Sequence, residues 1–229
     1  MKTLFILHGW QSSKEKWDRV KEHLEKSGIR VIVPDLPGFK EENKINKPWN
    51  ISDYVEWFER LINDQDKFFL LGHSFGGRVS IKFAARNPER LKGLILVSSA
   101  GIKKKIPGLL KFVKKLRFFS FLPGYNFFRK LFYRFILGKT DYLLAKGNLR
   151  ETFKNVINED LTPYLEKIKV PTLIIWGEKD RTTPISDAYL MKEKIKGSRL
   201  EILENIGHTP YLENPKVLSQ KIKDFVENI

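Results

Sequence analysis

Short apolar runs alternate with longer amphipathic segments along almost the whole sequence. The apolar runs lack the period-two alternation of a half-exposed strand, so they are typical of strands that are buried on both faces. The segments between them carry apolar residues at helical spacing. Strands that alternate with helices indicate βαβ units. We therefore predict an α/β fold with a mostly parallel sheet of about six strands and helices on both faces, the strands lying at 3–7, 30–35, 67–72, 91–99, 170–177 and 199–204.

Residues 101–165 interrupt this alternation. The segment has helical periodicity, shows no strand signal and holds more than half of the 17 phenylalanines. We predict that residues 1–100 and 166–229 form the core domain and that 101–165 is a helical cap above the strand ends. Some of its phenylalanines are expected to line an apolar acyl or aryl pocket. The candidate substrate-binding residues are Phe118, Phe119, Phe128 and Phe132.

The stretch GHSFGG (72–77) places Ser74 among three glycines where an apolar strand meets a helical pattern. A G-x-S-x-G sequence in this context predicts a sharp, strained strand-to-helix turn that exposes a nucleophilic serine. Side chains at the flanking positions would collide with the neighbouring strand and helix. The sequence contains no cysteine, so thiolate chemistry and disulfide bonds are excluded.

A serine nucleophile needs a base, and the sequence offers four histidines. His208 lies in a loop after the last predicted strand, which favours it as the general base. His23 lies inside a helix beside charged residues and is interpreted as a solvated surface residue. His73 is too constrained within the turn to reach the hydroxyl of Ser74. His8 ends the first strand, and we expect it to position a loop.

The orienting carboxylate is expected from a second strand end. Asp180, in the loop that follows TLIIW, is the preferred candidate. Asp35, after the second strand, is explained more simply as a turn residue that caps backbone N–H groups. Glu178 lies nearer its strand end, but the carboxylate beyond the turn is the better match.

With these motifs in place, the sequence resembles the α/β-hydrolase fold superfamily over essentially its whole length. The motifs that carry the resemblance are HGW with PDLPGF, GHSFGG, WGEKDRTTP and GHTPYLENP. The resemblance implies a capped, esterase- or lipase-like enzyme whose triad runs in the order Ser74, Asp180, His208. It also implies an oxyanion hole formed by the backbone N–H groups of Trp10 and Phe75. Because TLFIL corresponds to the family's third strand, the family's N-terminal β-hairpin is expected to be absent.

The reaction expected from this resemblance is hydrolysis of carboxylic esters through an acyl-enzyme, without a metal or cofactor. Lactones, thioesters and carbon–carbon bonds are cleaved by the same groups and remain alternatives. A serine rather than an aspartate at the nucleophile position argues against a dehalogenase or an epoxide hydrolase. A non-catalytic binding protein on the same fold is the alternative from another functional class.

The charge is strongly basic, with 42 Lys and Arg against 27 Asp and Glu. Ten of the basic residues lie between positions 103 and 134, interleaved with apolar residues, which argues against nucleic-acid binding. They fit transient contact of the cap with an anionic membrane or an acidic carrier protein, or a compositional bias that only solvates the surface. No run is long and uncharged enough for a membrane span, and the N-terminus lacks a signal-peptide pattern, so we expect a soluble, cytoplasmic protein.

Overall fold

The structure, a computed structural model, describes residues 1–63, 65–103 and 147–229. Within these ranges the strands form one six-stranded sheet in the order β2-β1-β3-β4-β5-β6, and every neighbouring pair is parallel. This confirms the predicted parallel sheet of about six strands. The strands are β1 Lys2–Leu7, β2 Ile29–Ile32, β3 Phe68–His73, β4 Leu91–Val97, β5 Thr172–Gly177 and β6 Arg199–Leu203.

Helices connect the strands as predicted. A 3-10 turn (Lys14–Trp17) precedes the first of them, and the side chain of Ser13 at the start of this turn makes no capping hydrogen bond. The α-helices are α1 Asp18–Glu25, α2 Ile51–Leu61, α3 Phe75–Arg86, α4 Gly147–Asn158, α5 Thr162–Leu165, α6 Ile185–Lys194, α7 Pro210–Glu213 and α8 Pro215–Glu227. None of the helices in the described ranges is both long and apolar enough to cross a bilayer.

The apolar strands are buried on both faces because helices cover both sides of the sheet. In β1, Phe5 and Leu7 belong to a core cluster that includes residues of α2 and α3. Leu4 and Ile6 belong to a second cluster that includes residues of α1 and α8. Each of these four side chains is at most 2% exposed. Burying one such side chain contributes roughly 1.5–3 kcal/mol, which explains the unbroken apolar run LFIL at positions 4–7.

The segment predicted to be the cap is described only at its two ends, residues 101–103 and 147–165, and this second part contains α4 and α5. The two ends meet, since Leu161 N donates to Gly101 O at 3.0 Å. Both also contact the core: Trp49 N donates to Thr152 Oγ1 at 2.8 Å, and Arg78 Nη1 donates to the carbonyl of Glu159 at 3.0 Å. The cap itself therefore remains a prediction.

The four phenylalanines predicted to bind substrate lie outside the described residues. The same holds for the predicted basic face of the cap, apart from Lys103, and so for its proposed membrane or carrier-protein contact. What the structure does describe is the edge of the sheet below. Because all six strands are parallel, the residues that follow them meet at one edge.

Candidate active site

Ser74 lies on a sharp turn between β3 and α3. Its backbone has φ 50° and ψ −111°, a strained conformation for a residue with a Cβ atom. Two hydrogen bonds hold the turn against the end of β4: Ser74 N donates to Val97 O at 3.2 Å, and Ala100 N donates to Ser74 O at 3.0 Å. The strained serine predicted from the sequence motif is therefore present.

The glycines around Ser74 allow three segments to approach closely. A Cβ atom at Gly76 would overlap the carbonyl of Leu7 at the end of β1, and one at Gly72 would lie 2.6 Å from the carbonyl oxygen of Gly76. A Cβ atom at Gly77 would overlap the side chain of Ser99, just after β4. The collisions expected from the motif are therefore confirmed, and those at Gly72 and Gly76 involve backbone atoms, which cannot move aside.

Gly76→Ala is expected to destabilise the fold by about 3 kcal/mol or more, since the new methyl group would push α3 away from β1. Thermal unfolding followed by circular dichroism would measure this. Gly28→Ala is the matched control, because Gly28 has φ +79° but nothing within 4 Å of the new Cβ. Its cost should be limited to backbone strain of about 1–2 kcal/mol. Equal destabilisation by the two substitutions would contradict the packing explanation.

Ser74, His208 and Asp180 form one hydrogen-bonded chain across the sheet edge. His208 Nε2 lies 3.0 Å from Ser74 Oγ, and His208 Nδ1 lies 2.8 Å from Asp180 Oδ2. The distances fit the tautomer in which Nδ1 donates to the carboxylate and Nε2 accepts from the hydroxyl. The Asp180 side chain is fully buried, whereas that of His208 is 20% exposed. The structure thus brings together the three residues proposed from the sequence.

Asp180 is held by four hydrogen bonds. Oδ1 accepts from the backbone N–H groups of Thr182 (2.8 Å) and Thr183 (3.0 Å), and Oδ2 lies 2.8 Å from Thr183 Oγ1 as well as 2.8 Å from His208 Nδ1. Burial raises the pKa of Asp180, but the hydrogen bonds from His208 and Thr183 outweigh it and leave the pKa below its usual value. The carboxylate is therefore ionised at neutral pH. Thr183 was not predicted from the sequence, although an aspartate in a loop often accepts hydrogen bonds from backbone N–H groups a few positions further on.

The other histidines have structural contacts. His8 Nε2 accepts from Leu36 N–H at 3.1 Å, which confirms the expected loop-positioning role. His73 does not contact the Ser74 hydroxyl; its Nε2 lies 2.9 Å from the carbonyl oxygen of His208 and donates to it. Burial and the proximity of His208 lower the pKa of His73 to about 3, so its ring is neutral. His23 is partly exposed, although its Nδ1 atom is buried, so it is less solvated than the sequence indicates.

The two alternative carboxylates, Asp35 and Glu178, bond to partners other than His208. Asp35 accepts a hydrogen bond from the backbone N–H of Lys14 at 3.2 Å, as expected for a turn residue. It also forms ion pairs with Lys14 (3.1 Å) and Lys40 (2.8 Å). Glu178 accepts from the backbone N–H of Asn205 at 2.9 Å. Both carboxylates therefore brace loops.

Trp10 and Phe75 follow β1 and Ser74 respectively. Gly76 N donates to His8 O at 3.1 Å, so the segments that carry Trp10 and Phe75 are adjacent. Phe75 is the first residue of α3, where a backbone N–H has no acceptor within the helix. The rings of Trp10 and Phe75 lie 5.2 Å apart, edge to face, and Trp10 also packs against Phe39 and against Phe153 of α4 at 4.9 Å each. An aromatic cluster, Trp10, Phe39, Phe75 and Phe153, thus adjoins Ser74.

Among the residues that the structure describes, no group of three or more His, Asp or Glu side chains is arranged to hold a metal ion. The groups that the structure brings together at this edge are the serine hydroxyl, the imidazole and the carboxylate. They suit proton transfer to and from a nucleophilic oxygen.

Comparison with known proteins identifies the family. A model of the alpha/beta hydrolase fold family matches residues 2–160 and 138–215. The monoacylglycerol lipase ABHD6 of Homo sapiens is 26% identical over an alignment of 257 positions, which covers 99% of this chain and 76% of that protein. Lipase 1 of Psychrobacter immobilis is 28% identical over an alignment of 235 positions, which covers 92% of this chain and 72% of that protein.

Among solved structures, an esterase from Exiguobacterium antarcticum superposes with a TM-score of 0.78 at 23% identity, covering 99% of this chain and 92% of that one. This similarity concerns the fold alone. Because the family model covers most of the sequence and the observed sheet agrees with it, we conclude that this chain is a member of the alpha/beta hydrolase fold family.

Proposed function

We propose that this protein is a serine hydrolase that cleaves carboxylic esters of small apolar acyl or aryl substrates through an acyl-enzyme. The observation that carries the proposal is the continuous hydrogen-bonded chain from Ser74 through His208 to the buried Asp180. The names of the two sequence relatives, both lipases, favour an ester as the bond that is cleaved.

In the proposed reaction, Ser74 Oγ attacks the acyl carbonyl carbon while His208 Nε2 removes the hydroxyl proton. Asp180 accepts the Nδ1 hydrogen bond and so stabilises the imidazolium that forms. His208 then protonates the leaving alcohol, and a covalent ester of Ser74 remains. A water molecule, deprotonated by the same histidine, attacks this ester and releases the carboxylic acid.

The backbone N–H groups of Trp10 and Phe75 are proposed to stabilise the negative charge on the tetrahedral oxygen. Each such donor is typically worth about 3 kcal/mol of transition-state stabilisation. The proposal is supported by the position of Phe75 at the start of α3, where the helix leaves N–H groups free and presents its positive end. It is also supported by the backbone hydrogen bond that joins the two segments.

The apolar character of the substrate is proposed from the aromatic cluster beside Ser74. Trp10, Phe39, Phe75 and Phe153 are large apolar side chains at or near the reactive edge. Such groups favour an acyl or aryl moiety over a polar one. The contribution of Phe118, Phe119, Phe128 and Phe132 to this pocket remains a prediction.

A fluorophosphonate probe and a series of p-nitrophenyl esters would test the function. We expect the probe to label one residue per chain, within the tryptic peptide that contains Ser74. We also expect kcat/KM to rise by about fourfold per added methylene until the pocket is full, since each buried methylene contributes roughly 0.8 kcal/mol. Labelling at another residue would contradict the proposed nucleophile. Lactones and thioesters would be assayed beside these esters, and a preference for either of them would change the proposed substrate class.

A further inference from the structure

A third carboxylate holds the loop that carries His208. Glu213 Oε2 accepts from Gly207 N at 2.7 Å, and Oε1 accepts from Thr209 N at 3.0 Å and from Thr209 Oγ1 at 2.9 Å. The two backbone N–H groups are those of the residues immediately before and after His208. One carboxylate therefore bridges the backbone across the proposed general base.

The carbonyl group of His208 is held as well. His73 Nε2 donates to it at 2.9 Å, and the His73 ring is buried between Trp17 and Tyr211, with ring centroids at 5.9 and 4.9 Å. The neutral His73 ring donates this bond in the tautomer that carries its single N–H proton on Nε2. The backbone around His208 is thus tied to a carboxylate on one side and to a fixed imidazole on the other.

The Glu213 side chain is negatively charged at neutral pH. Burial raises the pKa of Glu213, but the hydrogen bonds from Gly207 and Thr209 outweigh it, and the pKa is lower than usual. A charged carboxylate is a stronger acceptor than a neutral amide, and it can accept at both oxygens at once.

These contacts matter because His208 lies on a loop beyond β6 and its ring has to meet two partners at once. Its Nε2 lies 3.0 Å from Ser74 Oγ, and its Nδ1 lies 2.8 Å from Asp180 Oδ2. A displacement of about 1 Å at such a site can cost two orders of magnitude in rate. We propose that Glu213 is a positioning residue, which sets the place of the His208 ring by bridging the N–H groups of Gly207 and Thr209. This inference rests on the proposed function.

Glu213→Gln is the decisive variant, because it keeps the shape of the side chain but removes the charge and one acceptor. Glu213 is exposed, so the substitution is expected to leave the fold intact. We expect kcat, measured per fluorophosphonate-titrated site, to fall roughly 10- to 100-fold while KM stays near the wild-type value. Glu178→Gln is the matched control, since Glu178 accepts a single backbone N–H, that of Asn205, on the same loop. Its kcat should remain close to wild type.

The split between kcat and KM separates positioning from a general loss of stability. A displaced His208 ring lowers kcat per fluorophosphonate-titrated site and leaves KM near the wild-type value. A loss of stability alone would lower the number of titrated sites and leave the kcat per site unchanged.

Wild-type kcat per site in folded Glu213→Gln would overturn the inference. Glu213→Asp decides the matter if the glutamine variant yields no folded protein. Its shorter carboxylate keeps the charge but cannot bridge both N–H groups, so we expect a lower kcat per site; wild-type kcat would overturn the inference. Ser74→Ala, run alongside, distinguishes the two proposals. Full activity in that variant would refute the serine mechanism itself, whereas its inactivity together with a normal Glu213→Gln enzyme would refute only the positioning role.

Discussion

Ser74→Ala is expected to lower turnover of a p-nitrophenyl ester by about 10⁶-fold and to abolish fluorophosphonate labelling. The reason is that alanine removes the only atom that could form the acyl-enzyme at the end of the hydrogen-bonded chain. The activity that remains should come from substrate binding and oxyanion stabilisation alone. Initial rates, with folding verified by circular dichroism, would measure the effect.

Ser80→Ala is the matched control for this change. Ser80 lies on the same helix, α3, and its buried hydroxyl has no hydrogen-bond partner among the described residues. Its replacement should leave both turnover and labelling near wild type. If Ser74→Ala still turned over ester at a substantial fraction of the wild-type rate, another nucleophile would have to be sought.

Asp180→Asn is expected to reduce kcat by about 10⁴-fold while the protein stays folded. Oδ1 accepts two backbone N–H groups, from Thr182 and Thr183, so the asparagine carbonyl oxygen should occupy that position. The amide NH₂ group would then face His208 Nδ1 and require this nitrogen to be unprotonated. His208 would carry its proton on Nε2, and could not accept the proton of Ser74.

Asp35→Asn tests the alternative acid. The Asp35 carboxylate lies in ion pairs with Lys14 and Lys40, so its loss should lower the melting temperature and leave kcat nearly unchanged. Steady-state kinetics and thermal unfolding on both variants would separate the two roles. A large loss of kcat in Asp35→Asn, with Asp180→Asn nearly normal, would move the acid to the loop after β2.

The site residues that could be predicted from the sequence are those that lie just after the ends of strands. Continuous apolar runs indicate buried parallel strands, and parallel strands place Ser74, Asp180 and the loop of His208 at one edge. A serine, a histidine and an aspartate at this edge have complementary chemistry, so the sequence was sufficient to predict that they act together. The role of the glycines around Ser74 could also be predicted, because the close approach of strand and helix leaves no room for a side chain.

Other contacts depend on the three-dimensional path of the backbone, and the residue pattern along the sequence does not report this path. Glu213 stands in the same short segment, GHTPYLE, as His208, but its role is visible only once Gly207 and Thr209 are seen to point their N–H groups at it. His73 was recognised as unable to act as the base, yet its bond to the His208 carbonyl joins residues 135 positions apart. Likewise, Phe153 packs on Trp10 and so joins α4 to the loop after β1.

The distribution of the site along the chain has a consequence for folding. Ser74 and His208 are 134 residues apart in sequence, so the hydrogen bond between them forms only after a long loop has closed. During synthesis the N-terminal part emerges first and can begin to fold while the rest is still being made. A chain that has assembled only β1 to β4 would hold Ser74 without Asp180 or His208, and would be unreactive toward esters. Under the proposed mechanism, catalytic competence is therefore acquired late, when β5 and β6 join the sheet. The appearance of esterase activity during refolding would then report the completed molecule and no earlier intermediate.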